Sequence, residues 1–500
     1  MKYRVSAFVS VATLVIVAAC SESTPTENTV TAPDGGDGGD GSVASLTTPT
    51  NACTDAVDSV YGDPGALAPD PAARGNIVKC ASDKALTKDE IQTRLTSIEY
   101  KGRPVTSGAR VYKVSYRTER GDKDGTPGVS SAAVFIPDTP AGDKLPIVVA
   151  ARGSRGQAAK CAASKFDSSL EPPDGVNGDL YALVYPLVGL GYAVIVPDLA
   201  GYANYGAAKN PPSAYAQATD VGRSTLDGAR ALKKLFPVLD DKTVFVGHSQ
   251  GGHSALAALA NAESYGYTTP IAGVAVYAPL WLSQRSWGAV LYRAVGKDFP
   301  IAMSAAGPVS VWYHYTQAEL LDGPGEGMKL FAESKRAAIK DFVDTTCWGK
   351  YPNLEALGTY ADELFDPAFV KSVGFPATFG MGNACDGDAV CDKWLARYSA
   401  DRPHLTGAAA KTPILLAYGL KDTTIPAGRM KCAADRLKAD GAQVSYCVEP
   451  EDGHGSIVRK RADTVVDWIK QQTAGGAAPA ACPQTEAALP ADCTTPPAND

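Results

Sequence analysis

The sequence predicts an α/β protein built on a mostly parallel, doubly wound sheet, with a helical cap inserted late in the chain. Three observations carry this. Continuous apolar runs alternate with helix-like segments, the pattern of strands buried on both faces. One run ends in a turn crowded with glycine, Gly247-His248-Ser249-Gln250-Gly251-Gly252, and is followed by a small-residue helix. Finally, between Pro279 and Lys411 no buried strand can be read, over roughly 130 residues, the size of a small domain.

At the N-terminus, Lys2 and Arg4 precede an apolar run from Val5 to Val17 and then Val17-Ala18-Ala19-Cys20. The run is too short to span a bilayer and reads as a signal peptide, 1–19. Its end resembles a bacterial lipobox, which implies cleavage before Cys20 and lipidation of that cysteine. Ser21 follows, so in a diderm cell the implied destination is the outer membrane, facing an oxidising compartment. Residues 20–50 are rich in Gly, Ser, Thr and Asp around Gly35–Gly41. They bury too little apolar surface to offset ordering entropy, and read as a flexible tether. Residues 473–500 form a similar Ala/Pro-rich tail.

Between these ends, 51–108 is a mixed N-terminal extension. Thr87 with Glu90 three residues on predicts a capped helix over Thr87–Leu95. The first core segment, 109–278, opens with an antiparallel pair, Val111–Arg117 and Val129–Pro137. Apolar strands follow at Leu145–Ala151, Tyr192–Pro197, Thr243–Val246 and Ile271–Ala278, with helices at Asp179–Leu190, Ala216–Leu235 and Ser254–Ala262. The cap, 279–411, has helical stretches at Gly327–Val343 and Asn353–Phe365. The second core segment, 412–472, adds strands Thr412–Ala417 and Gln443–Val448 and a closing helix, Val458–Gln472.

Composition narrows the function. The 500 residues carry a formal net charge of −7, and nothing suggests the basic face a nucleic-acid partner requires. There is no H-E-x-x-H and no P-loop, so neither metal nor cofactor is implied. Eleven cysteines less Cys20 leave ten, an even set that reads as disulfides in an exported protein. Connectivity is not readable, but loop length favours Cys385–Cys391, Cys432–Cys447 and Cys482–Cys493. Cys53, Cys80, Cys161 and Cys347 are left for longer links.

The glycine-rich turn has the form of a nucleophile elbow, G-x-S-x-G between a strand and a helix. It nominates Ser249 as the nucleophile of an α/β-hydrolase fold. Such a serine needs an imidazole and a carboxylate, in the chain order Ser, Asp, His. Of five histidines, His454 lies in a loop between the last strand and the last helix. His248 should point away from the base, and His253, His314 and His404 fit core or surface roles. Asp422, just past Thr412–Ala417, is the candidate acid; Asp452 is too close to His454 in sequence to meet its ring well. The oxyanion donors should be the N–H groups of Gln250 and of Ser154, with Gly153 the alternative. Arg152 and Arg155 flank that loop and suggest salt bridges to surface carboxylates.

Together, Pro146–Gly156, Cys161-Ala162-Ala163-Ser164, Gly191–Asp198, Gly247–Gly252 and Gly419–Asp422 resemble the secretory lipase family, the fungal lipase A-like group and its bacterial relatives. The resemblance covers about 111–470. It implies hydrolysis of carboxylic esters, often acylglycerols, with the cap binding the acyl chain. It also implies that Cys161 pairs into the cap, with Cys347 as partner. One departure is Arg152, where the family carries His before the glycine. Rival readings are a serine peptidase of the same fold, a polymer or polysaccharide esterase, and a non-catalytic lipid-anchored surface protein. Neither oligomeric state nor natural substrate is readable.

Overall fold

Among the described residues nine strands form one sheet, in the order β1-β2-β3-β5-β4-β6-β7-β8-β9. They are β1 Ile77–Leu86, β2 Ala109–Glu119, β3 Pro127–Pro137, β4 Ile147–Ala151, β5 Val194–Ala200, β6 Thr243–His248, β7 Ile271–Tyr277, β8 Ile414–Gly419 and β9 Val444–Glu449. The computed structural model describes residues 46–165, 178–202, 211–291, 306–348, 357–358, 360–380 and 384–484. Cys20, Cys493 and the signal segment lie outside them.

The pairings β1–β2, β2–β3 and β3–β5 are antiparallel, and every pairing from β5 to β9 is parallel. This is the predicted sheet plus one strand, β1. That strand escaped the sequence because four of its ten residues are polar and only Cys80, Ala81 and Leu86 are buried. It is an edge strand, paired to β2 from Ile77 opposite Tyr116 to Leu86 opposite Ala109. Next to β1, helix α1 (Lys88–Ser97) begins at Thr87 with both hydrogen bonds of a capping box formed. Pro197 sits inside β5 beside a register shift against β3, a place where a missing N–H is tolerated.

Sheet topology locates the crevice. From β4 the chain passes through α2 (Gly178–Gly189) to β5 on one side. It then returns through α3 (Ala218–Leu235) to β6 on the other side of β4. The order reverses between β4 and β6, and in open α/β sheets ligands bind at the carboxyl ends of such strands. Helices α4 (Gln250–Asn261), α10 (Ala427–Ala439) and α11 (Ser456–Ala474) complete the main core, to which the buried residues of β2 to β9 contribute.

Between β7 and β8 the described residues hold helices but no strand. They are α5 (Gln284–Leu291), α6 (Ala306–Leu321), α7 (Arg336–Thr345), α8 (Pro367–Phe379) and α9 (Ala389–Ala400). They bury a separate apolar cluster that includes Trp287, Trp312, Tyr313, Phe365, Phe369, Trp394 and Tyr398. At its centre His314 bonds the Ser310 carbonyl at 2.8 Å and the Tyr398 hydroxyl at 2.7 Å. Burial lowers its pKa to about 3, so it is a neutral core residue. The helix expected over Gly327–Val343 is broken into a turn at Glu326–Lys329 and α7. Phe331 interrupts it by pairing with Phe365, ring on ring at 4.9 Å. Of the stretch expected at Asn353–Phe365, Ala361–Leu364 forms one helical turn, and 353–356 and 359 lie outside the described residues.

Four disulfides are described: Cys53–Cys80, Cys161–Cys347, Cys385–Cys391 and Cys447–Cys482. Cys432 is disulfide-bonded as well. Cys432–Cys447 and Cys482–Cys493, favoured by loop length, are therefore not the pairs formed. The reason is the free edge of β9. The Val448 N–H donates to the Gln484 carbonyl at 3.2 Å, so the start of the C-terminal tail lies along that edge and covers it. This brings the Cα atoms of Cys447 and Cys482 to 5.1 Å, within disulfide reach. Likewise, the last residues assigned to the tether touch the body: Thr50 donates from N and Oγ1 to the carbonyls of Leu235 and Lys234 at the end of α3.

Non-reducing peptide mapping should recover a Cys447–Cys482 cross-link, and a Cys432–Cys447 fragment would contradict this arrangement. Replacing both Cys447 and Cys482 by Ala should lower stability in urea by about 2–4 kcal/mol.

Candidate active site

β6 delivers Ser249 into a backbone conformation of φ 54° and ψ −122°, which non-glycine residues rarely adopt. The strain is held from both sides. The Ser249 N–H donates to the Tyr277 carbonyl of β7 at 3.0 Å, and its carbonyl accepts from Leu280 N at 2.8 Å. Its hydroxyl makes no capping bond to α4. The flanking glycines are required by contact. A Cβ on Gly247 would lie 2.2 Å from the Gly251 carbonyl oxygen, one on Gly251 would lie 1.9 Å from that of Ala151, and one on Gly252 2.7 Å from Pro279 Cβ.

Parallel pairing brings the carboxyl ends of β4, β6, β8 and β9 to one edge of the sheet, so the loops that follow them meet there. Asp422 follows β8 and His454 follows β9, and His454 Nδ1 lies 2.8 Å from Asp422 Oδ2. The other carboxylate oxygen, Oδ1, accepts from the N–H groups of Thr424 and Ile425, both at 2.8 Å. One oxygen is thus fixed in a turn while the other meets the imidazole. Asp452 has a different part: its carbonyl accepts from Lys421 N at 2.9 Å, tying the two loops together. Gly419 permits this, since a Cβ there would lie 2.2 Å from that carbonyl oxygen. His248 departs from expectation. Its ring lies 4.7 Å from that of His454, and its Nε2 donates to the His454 carbonyl at 3.0 Å.

The β4 exit loop is packed from below and above. Arg152 and Arg155 are both buried, and Arg152 meets neutral oxygens in place of the surface carboxylate expected for it. Arg152 hydrogen-bonds backbone carbonyls, of Gly153 at 2.9 Å and Asp198 at 3.0 Å. Ser154 Oγ lies 2.7 Å from the Tyr215 hydroxyl, and Tyr215 N donates to Thr316 Oγ1 of α6 at 2.9 Å. Gly156 bridges to Cys347, and Trp348 N donates to the Arg155 carbonyl at 3.0 Å. With the Cys161–Cys347 bond, these contacts seat a segment of the helical insert directly on the loop.

The model of the alpha/beta hydrolase family matches residues 175–468, more than half of the chain. The chain belongs to the alpha/beta hydrolase family. Among solved structures, this chain is similar to lipase A of Candida antarctica in its closed state, at 17% identity and a TM-score of 0.57, over 87% of this chain and 93% of that one. It is also similar to the rice cell wall degrading esterase LipA of Xanthomonas oryzae, at 17% identity and a TM-score of 0.57, over 80% and 98%. At these identities the likeness speaks for the fold. Among curated proteins, acyl-protein thioesterase 1 of Gibberella zeae is 28% identical over 149 residues, 29% of this chain. This chain spans 59% of the length of that relative.

A further group joins insert to core, and no sequence motif announced it. Asp401 ends α9. Its Oδ2 accepts from the Tyr313 hydroxyl and Gln317 Nε2, both at 2.6 Å, and its Oδ1 from Ala218 N at the start of α3, at 3.0 Å. Its carbonyl accepts from Nε2 of His253, in the first turn of α4, at 2.7 Å. Burial lowers the His253 pKa to about 4 and keeps the ring neutral. Burial also pushes the Asp401 carboxyl up to about 7, the hydrogen bonds opposing it only in part. The tie was invisible in sequence because its members lie 183 residues apart at the widest.

The Asp401 shift has a sign that can be measured. Its folded value lies above the unfolded value of 3.8, so folding takes up a proton and stability falls as pH rises from about 4 to about 7. Urea titrations of wild type and Asp401→Asn at steps across pH 4–8 should show the wild type losing ground to the variant through that window and no further above it. A constant difference would exclude Asp401 as the titrating group.

Proposed function

We propose that this hydrolase cleaves carboxylic esters through an acyl-enzyme, with Ser249 as nucleophile, His454 as general base and acid, and Asp422 as the carboxylate that orients it. The observation that carries the reading is the 2.8 Å contact between His454 Nδ1 and Asp422 Oδ2, on the sheet edge where the strained Ser249 turn also ends. With Nδ1 bonded to the carboxylate, Nε2 is the nitrogen left to take the serine proton. Ser249 attacks the ester carbonyl, and the N–H groups of Gln250 and Ser154 hold the oxyanion. His454 then protonates the leaving alcohol, and water releases the acid by the same steps in reverse order of roles. The names of the similar proteins, a lipase, an esterase and a thioesterase, all describe acyl groups on oxygen or sulfur, which favours an ester over a peptide amide.

For location we propose export and attachment to a bacterial membrane through lipidated Cys20. The disulfides support an oxidising compartment. Among the described residues no helix is long and apolar enough to cross a membrane. The helical insert over the β4 exit loop is then the element that selects the acyl group.

Ser249→Ala should lower p-nitrophenyl butyrate hydrolysis by about 10⁴-fold or more while the protein stays folded. Turnover retained in that variant would sink the assignment. Tributyrin, triolein and acetylated xylan offered to the wild-type enzyme separate short-chain, long-chain and polysaccharide esters. Cells fed an alkyne-tagged fatty acid should label the wild-type protein and leave Cys20→Ser unlabelled; equal labelling would place the lipid elsewhere.

A further inference from the structure

Arg152 is 3% exposed, and a guanidinium is costly to bury unless its N–H groups are used. Its Nη1 donates to the Gly153 carbonyl at 2.9 Å and lies 3.4 Å from Gln250 Oε1. Its Nη2 donates to the Asp198 carbonyl at 3.0 Å, and the group lies 4.8 Å over the Tyr202 ring. These three acceptors are neutral oxygens at three places: the β4 exit loop, the first residue of α4, and β5. Two of them belong to the residues that frame the oxyanion hole.

Peptide geometry makes the Gly153 contact directional. The Gly153 carbonyl and the Ser154 N–H are the two ends of one planar unit, which is trans because the described residues contain no cis bond. In a trans peptide the C=O and N–H point in opposite directions. A cation gripping the carbonyl therefore turns the Ser154 N–H the other way. It also polarises the amide, which strengthens the N–H as a donor. The contact to Gln250 Oε1 links this donor to the residue that carries the second one. Asp198 anchors the far side: its carboxylate accepts from Ser131 Oγ at 2.6 Å and Ser164 N at 2.9 Å, and Ser164 Oγ bonds it as well.

We infer that Arg152 is the positioning residue of the oxyanion hole, holding the Gly153–Ser154 peptide so that the Ser154 N–H, rather than that of Gly153, completes the hole with Gln250. This rests on the reading of Ser249 as nucleophile. The role is one of orientation, as Arg152 reaches the reacting atoms only through the peptide it holds.

The test compares wild type, Arg152→Met, which keeps the length and loses every donor, and Arg152→Lys, which keeps the charge and one donor site. Labelling of Ser249 by a fluorophosphonate, followed to its endpoint, is measured first. A wild-type protein that does not label removes the nucleophile reading itself, independently of Arg152. With labelling complete in all three, kcat and KM for p-nitrophenyl butyrate are set against the Ki of an alkyl trifluoromethyl ketone, whose serine adduct carries an oxyanion. Arg152→Met should lose about 10–100-fold in kcat, less than removal of a donor outright, with KM within about threefold and inhibitor affinity falling by the same factor as kcat. Arg152→Lys should recover part of both. Unchanged kcat and Ki in Arg152→Met would overturn the inference, as would a fall in kcat with no fall in inhibitor affinity. If Arg152→Met does not fold, the same proportion between kcat and Ki decides the question in Arg152→Lys.

Discussion

The closest constraint in the molecule is the approach of α4 to the end of β4. Room for a Cβ is absent at Gly251, where it would lie 1.9 Å from the Ala151 carbonyl oxygen, and at Gly247, 2.2 Å from the Gly251 carbonyl oxygen. That approach sets the start of a helix against the exit of a neighbouring strand. It aims the positive end of α4 and the N–H groups of its first turn at the space beside Ser249. The strain at Ser249 is borne by backbone bonds to Tyr277 and Leu280, not by its own hydroxyl, which leaves that group available for chemistry.

Around this point the structure uses buried polar groups as fasteners between segments distant in sequence. Asp198 holds β3, the 161–165 turn and, through its carbonyl, Arg152. Asp401 holds α6, α3 and the first turn of α4. In a low-dielectric interior each such group is costly if left unpaired, so each fixes its neighbours in one arrangement. The consequence for the insert is attachment at several places. The disulfide to Cys161, the bond from Trp348 to Arg155, the Tyr215 link to α6 and the Asp401 hub all tie it to loops that border the sheet's carboxyl edge.

Much of the fold was legible because its signals are local. Apolar runs such as Val244–Val246 and Ile414–Ala417 cannot be exposed, and they became central strands. The elbow glycines, the Thr87 cap and the loop positions of Asp422 and His454 were readable for the same reason. β1 was not, because an edge strand is recognised by its partner more than by its own composition. The expected direction of His248 is wrong because it sits at the end of β6, three strands from β9, whose exit loop delivers His454, and that relation exists only in the sheet order. Cysteine pairing failed at Cys447 because loop length measures chain entropy, whereas the free edge of β9 decided which segment lay beside it.

By itself the sequence determined the α/β class and the strand-turn-helix that carries Ser249, and it nominated Asp422 and His454 from their loop positions, since periodicity and turn chemistry are properties of neighbouring residues. Only the tertiary structure decided that Asp422 is the carboxylate at His454, that Arg152 faces inward onto carbonyls, and that Asp401 joins insert to core. Those are relations between residues tens to hundreds of positions apart, and they exist only once burial removes water as the alternative partner for every polar group.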